Sequence, residues 1–327
     1  MKRRTFSAAS FALAATLAFP ALAQNVKLTL GHGAAPGNPR HEAAVKFAEI
    51  VKAKTNGRIE IQVAHSAQLG DDAAMVTALR SGTLDLSANS QGALSTVVPE
   101  YAALGLPFLF SDIQKAWATL DGPIGEELAK RTAAKSMVVL GYWDNGIRHV
   151  SNNKRPVKAP ADMKGLKIRT PPDGMTVDIM QALGADTQQI KFAELYVALQ
   201  QGVVDGQENP LTNIASAKLY EVQKYLTLTG HKYECNPFLM GKRSWDKLSA
   251  ADQQVFKDAA AEATKLQRKL SKEADEKLVA ELKGKGVQIE TVDRKAFVDA
   301  TRTVYDKWTA GPNGEFFKRV IQQVQAQ

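Results

Sequence analysis

V-K-L-T-L-G-H-G at 26–33, N-P-R-H-E-A-A-V-K-F-A-E-I-V at 38–51 and N-G-R-I-E-I-Q-V at 56–63 together decide the fold class. Val26, Leu28 and Leu30 alternate with polar neighbours, the period of a half-buried strand that ends near Gly31 and His32. Asn38 and Pro39 then supply an N-cap and a proline at the first helical position. Ala44, Phe47, Ala48 and Val51 recur at the spacing of one helix face. Asn56-Gly57 stops that helix, and Ile59, Ile61 and Val63 alternate as a second strand. Strand, helix, strand of this length is a βαβ unit, which requires a parallel pair and a sheet covered by helices.

The alternation continues outward. A strand is expected near the turn at Leu84-Asp85-Leu86, a continuous apolar strand at 137–142, and a short one at 166–169 entered through the turn-rich stretch 156–165. Helices are expected at 175–183 and 193–201, and strands at 225–229 and 238–240. The body is therefore α/β. Segment 249–283 differs, with Ser249 as cap and Val255, Ala259, Ala263, Leu266, Leu270, Ala274, Leu278 and Leu282 stepping by three or four, uninterrupted by proline or glycine. Such a helix would run roughly 50 Å, longer than one small domain, and its alanine-rich, four-dominated stepping predicts a bridge between domains rather than a coiled coil. Beyond Gly284 and Gly286, a short strand at 287–290 and two amphipathic helices are expected.

The chain has 327 residues and a net charge of +8. Its first 23 residues read as a secretory leader: Lys2, Arg3 and Arg4, an apolar run from 11 to 20, and Ala21-Leu22-Ala23 as the cleavage signal. The mature protein is expected in the periplasm, long enough for two domains, with its charge reduced to +5 by loss of those three cations. That mild balance, with both signs interleaved, excludes the basic stripe of a nucleic-acid binder. The single cysteine, Cys235, cannot form an intrachain disulfide and reads as a small buried residue.

No G-x-S-x-G elbow, H-E-x-x-H helix, P-loop or strand-linked G-x-G-x-x-G is present, and the five histidines lack metal-ligand spacing. Neither a catalytic residue, a metal nor a cofactor is assigned. Two places carry ligand chemistry instead. Arg169 ends a short apolar strand before Thr170-Pro171-Pro172, and in open α/β sheets ligands bind at carboxyl ends of strands. An arginine there offers a planar fork matched to a carboxylate. Asp205-Gly206-Gln207-Glu208-Asn209-Pro210 follows a helix and the two-residue strand Val203-Val204, placing Asn209 on a loop at another strand end, where turn chemistry alone is the competing explanation.

M-K-G-L-K-I-R-T-P at 163–171, L-G-A at 183–185 and F-A-E-L-Y-V-A-L-Q-Q-G-V-V-D-G-Q-E-N-P at 192–210 resemble the signature of DctP-type solute-binding proteins of TRAP (tripartite ATP-independent periplasmic) transporters. Met163 stands where that family often has leucine; the likeness otherwise extends over nearly all the mature chain. The resemblance implies two α/β domains joined by hinge strands in a Venus-flytrap arrangement, with the long helix spanning both. Residues 24–145 with about 234–272 would form the first domain; about 146–233 with 273–327 would form the second. It implies capture of a small organic acid by a monomer, without chemistry, and delivery to the membrane subunits of a transporter. Arg169 matches the carboxylate-binding arginine, Arg148 the second arginine that reaches the ligand, Asn209 the loop asparagine and Phe192 the wall of the cleft. His32, Asp72 and Asn89 fall where members place further contacts, and Glu208 and His231 would support them from behind. Those polar groups favour a sugar acid such as a uronate or aldonate, since Asp72 would repel a second carboxylate and accept from a hydroxyl. A C4-dicarboxylate or a keto acid is the alternative ligand, and a periplasmic hydrolase the alternative class.

Overall fold

The structure, a computed structural model, describes residues 25–110 and 112–327. The expected leader and its cleavage after Ala23 lie outside the described residues. Nine strands form one sheet: β1 (Val26–Gly31), β2 (Ile59–Ala64), β3 (Leu86–Ala88), β4 (Met137–Asn152), β5 (Lys167–Thr170), β6 (Asp186–Gln189), β7 (Gly206–Pro210), β8 (Tyr225–Gly241) and β9 (Gln288–Glu290). Their order is β2-β1-β3-β8-β4-β7-β5-β6, with β9 alongside β8.

The opening βαβ unit forms as its pattern requires. Helix α1 (Pro39–Lys54) is capped by Asn38, whose side chain accepts from the Arg40 N–H, and β1 pairs parallel with β2 from Val26 opposite Ile59 to Gly31 opposite Ala64. Leu28, Leu30, Phe47, Val51 and Ile59 are buried on the faces the two periods assign them. Phe47, Trp143, Phe238 and Phe256 close this first core, whereas Leu199, Ile214, Leu226 and Leu282 belong to a separate one in the second half.

The two halves share β4 and β8, which differ from expectation. The apolar segments 137–142, 225–229 and 238–240 are only the ends of strands 16 and 17 residues long, paired antiparallel along their length. Their middles carry Asp144, Asn145, Arg148, His231, Lys232 and Glu234, which hydrophobic periodicity reads as loop. They remain strand because those groups find partners in one another at the junction. Register shifts between Asp144 and Gly146 and between Arg148 and Val150 interrupt the ladder there. Gly146 sits at φ +120°, and a Cβ on it would lie 3.1 Å from Pro210 Cβ, so this kink requires glycine.

Two further corrections bear on the cleft. Asn209 is not on a loop: Val203-Val204 forms the bend, and Gly206–Pro210 is a fully buried strand between β4 and β5. β6, polar and largely exposed, carries no apolar period and joins the edge through backbone pairing with β5.

The helix Ala250–Gly284 spans 35 residues and is capped by Ser249, which accepts from the Asp252 N–H. Its buried stripe is Phe256, Ala259, Ala260, Ala263, Gln267 and Ser271, not a line through Leu266 and Leu270. Gln267 explains the rotation, because its amide accepts from the Asp144 N–H at 2.6 Å and donates to the Asp144 carbonyl at 2.7 Å. The helix is thus tied to the kinked strand. It packs on α1 in the first half and on the helix Leu211–Ser216 in the second. Three helices, not two, end the chain. The last, Gly314–Gln325, packs against the first half, on Pro99–Gly105 and Ile113–Leu120, and Arg319 pairs with Glu127. No helix among the described residues is long and apolar enough to cross a membrane.

Candidate functional site

Where the halves face each other across β4, they line a small cavity of about 80 Å³. Arg169, Phe192, Asn209 and Arg148 approach from the second half and the shared strands; Asp72, Ser90 and Arg40 approach from the first. Direct contacts cross the gap: Asn38 Nδ2 donates to Asn213 Oδ1 at 3.0 Å, and Lys191 Nζ lies 3.0 Å from Asp71 Oδ2. The cleft is closed.

Arg169, the penultimate residue of β5, has only 2% of its surface exposed. Its Nε donates to the Ile190 carbonyl at 2.8 Å, which fixes the guanidinium, and the Phe192 ring lies 5.8 Å from Cζ. No carboxylate of the described residues pairs with it. Burial accordingly pulls its pKa down to about 10. Its two terminal nitrogens are left for something else.

Arg148 is the reverse case. Its Nε and Nη2 donate to the two oxygens of Glu208, Nη1 donates to Glu234, and Nη2 also reaches the Glu208 carbonyl. Burial opposes its charge, yet Glu208 and Glu234 more than offset this and raise its pKa. Glu208 would be raised by burial, but Arg148 holds it down at about 2. His231 stands behind, Nε2 at 3.2 Å from Glu208 and Nδ1 at 2.8 Å from Thr229 Oγ1. Burial lowers the His231 pKa despite Glu208, so the ring is neutral and Nε2–H donates to the carboxylate. Arg148 lines the cavity, then, but as a guanidinium already committed to two carboxylates.

The remaining expected residues divide between wall and support. Phe192, Asp72 and Asn209 are on the wall. Asn209 is constrained, its Oδ1 accepting from Asn213 and its Nδ2 donating to Gln207. Asp72 accepts from the Ser90 N–H at 3.0 Å, and burial raises its pKa. Asn89, with its amide turned to satisfy both ends, donates to Asp72 Oδ1 at 3.1 Å and accepts from Ser87; it braces Asp72 and does not line the cavity. His32 does not line it either, Gly33 and Ala34 standing there instead. Its Nδ1 accepts from the Ala34 N–H, its Nε2 faces His41 Nδ1 at 3.3 Å, and burial lowers its pKa to about 3. The described residues contain no cluster suited to a metal ion.

Besides Asp71, Ser90 and Lys191, the wall residues Arg40, Asn145, Asn213 and Glu234 escape the sequence reading. Asn145 links them, its Nδ2 donating to Glu234 and its Oδ1 accepting from Arg40 Nη2 at 2.9 Å and from Asn213 at 3.2 Å. Arg40 alone had left a signal. A cation in the first turn of a helix opposes the macrodipole, so an arginine at the second position of α1 calls for a reason.

A two-domain α/β protein closed over a small cavity, with one arginine held ready for an anion, is a solute-binding protein of the hinged kind. The profile of DctP, described as bacterial extracellular solute-binding protein, family 7, matches residues 30–311, and the chain belongs to this family. A Sinorhizobium fredii protein is 55% identical over 99% of the chain, which spans 61% of that relative's length. The 2,3-diketo-L-gulonate-binding periplasmic protein YiaO of Escherichia coli is 36% identical, covering 91% of this chain and 92% of that one. Among solved structures, a TRAP periplasmic solute-binding protein from Polaromonas sp. JS666 bound to D-erythronate superimposes with a TM-score of 0.88 at 37% identity, covering 92% and 98% of the two chains. The sugar-acid-binding protein DctPAm from Advenella mimigardefordensis, in complex with galactonate, gives 0.90 at 31%, covering 93% and 99%.

Proposed function

We propose that this protein captures a polyhydroxylated monocarboxylate, a sugar acid of the aldonate or uronate type, with its carboxylate on Arg169. The carrying observation is the unpaired, buried guanidinium of Arg169 in a cleft where Arg148 and Lys232 are already paired with carboxylates. The side chains around it comprise five cations (Arg40, Arg148, Arg169, Lys191, Lys232) and five carboxylates (Asp71, Asp72, Asp173, Glu208, Glu234). One ligand carboxylate leaves that shell one charge negative; a dicarboxylate would leave it two, a heavy load in a water-poor site. Asn209, Asn145, Asp72 and Ser90 supply the mixed donors and acceptors that hydroxyls need. The erythronate, galactonate and diketogulonate ligands of the relatives support the same class.

Capture involves no bond making. The protein works as a periplasmic monomer that delivers its cargo to the membrane subunits of a TRAP transporter, recognised through its closed shape. Calorimetry with D-galactonate, D-erythronate, D-glucuronate and succinate tests this reading. Micromolar or tighter binding of a hydroxylated monocarboxylate, recovered unchanged by mass spectrometry, is expected. Preference for succinate, or conversion of the ligand, overturns it.

A further inference from the structure

Arg40 is 5% exposed, lines the cavity, and uses Nη2 on Asn145 and Nη1 on the Ala88 carbonyl. Its Nε has no partner. No carboxylate of the described residues lies within ion-pair distance, although Asp72 on the same wall feels its charge. Asp72 is braced on the other side by the Ser90 N–H and by Asn89. Both side chains are therefore fixed, opposite in charge and prevented from meeting. Elsewhere in this cleft opposite charges touch, as Arg148 does with Glu208 and Lys232 with Asp173. Keeping one such pair apart forfeits an ion pair and is stabilising only if a third group completes it. A hydroxyl can do this, donating to a carboxylate while accepting from a guanidinium.

Resting on the sugar-acid reading above, we propose that Arg40 is a specificity-determining residue, bracketing a ligand hydroxyl together with Asp72 on the wall contributed by the first half. The subsite selects acids that carry a hydroxyl beyond the carbon next to the carboxylate. It disfavours both the deoxygenated acid, which would leave the two charges without a group between them, and a second carboxylate, which Asp72 would repel.

Calorimetric titration of the full mature protein with D-galactonate and with 2-hydroxybutyrate, which lacks the distal hydroxyls, tests this. Wild type, Arg40→Met, Arg40→Lys and Asp72→Asn are compared. Loss of a hydrogen bond to a charged group corresponds to roughly a 10- to 100-fold weakening. Arg40→Met and Asp72→Asn should each show it for galactonate, weaken 2-hydroxybutyrate far less or strengthen it, and together weaken galactonate little more than either alone. Binding of 2-hydroxybutyrate serves as the control for folding. Equal weakening of both acids, or unchanged galactonate affinity in Arg40→Met, overturns the assignment of Arg40 alone. Failure of the wild type to bind either acid overturns the sugar-acid reading itself.

Discussion

Replacing Arg169 by methionine should move stability and affinity in opposite directions. In the ligand-free protein the Arg169 guanidinium is buried without a paired carboxylate, and burial pulls its pKa down to about 10. At 1.36 kcal/mol per pKa unit, the charged form is disfavoured by about 3 kcal/mol relative to water. Methionine removes that cost and keeps most of the side-chain volume. It also gives up the 2.8 Å bond to the Ile190 carbonyl, worth about 1 kcal/mol. The net expectation is a ligand-free protein more stable by about 1–2 kcal/mol, or several degrees in Tm. A carboxylate on the two free nitrogens would lose two charge-assisted bonds of about 1.5–3 kcal/mol each, so affinity should fall at least 100-fold. Urea denaturation of the ligand-free proteins and calorimetry with D-galactonate measure the two effects separately. A variant that is both destabilised by more than 2 kcal/mol and still able to bind with wild-type affinity would refute the reasoning, because Arg169 would then be a structural cation.

Glu208→Gln leaves Arg148 with half its compensation in a dry site, so unfolding free energy should drop by about 3–5 kcal/mol in denaturant titrations. Gly146→Ala places a Cβ at φ +120° beside Pro210 and should cost about 1–3 kcal/mol, with ligand-driven closure slowed in stopped-flow fluorescence; wild-type stability and rate would exclude the kink as hinge. Burial of neutral His32 and His149 lowers each pKa to about 3, so the unfolded chain takes up protons the native one refuses. Their stability contribution is present above pH 6.5 and lost as pH falls below it, and Tm should decline from pH 7 to pH 5. Asp144 works oppositely, since burial raises it to about 7 and its contribution is lost as pH rises through that value. Stability measured for Asp144→Asn relative to wild type should therefore improve by about 2–3 kcal/mol between pH 5 and pH 8, and a flat difference would dismiss Asp144 as the titrating group.

Much of the fold was local and therefore legible. The βαβ opening and the 35-residue helix follow from period, caps and breakers, all properties of neighbours along the chain. Arg169 stood out for the same reason, being at a strand end held by prolines. What the sequence could not determine is which charges meet. Arg148 and Arg169 look alike in the chain, but β7 runs beside β4 and sets Glu208 against Arg148, while no carboxylate of the described residues pairs with Arg169. His32 and Asn89 sit one or two residues from the wall, and only packing decides that they brace it. The polar centres of β4 and β8 read as loops because a strand's buried polar residues are stable only with partners supplied from elsewhere, here 60 and 86 residues away for Arg148. Local periodicity fixes the elements. The pairing of charges across the cleft, and with it the choice of Arg169 over Arg148 as the arginine left unpaired, is a property of the tertiary structure alone.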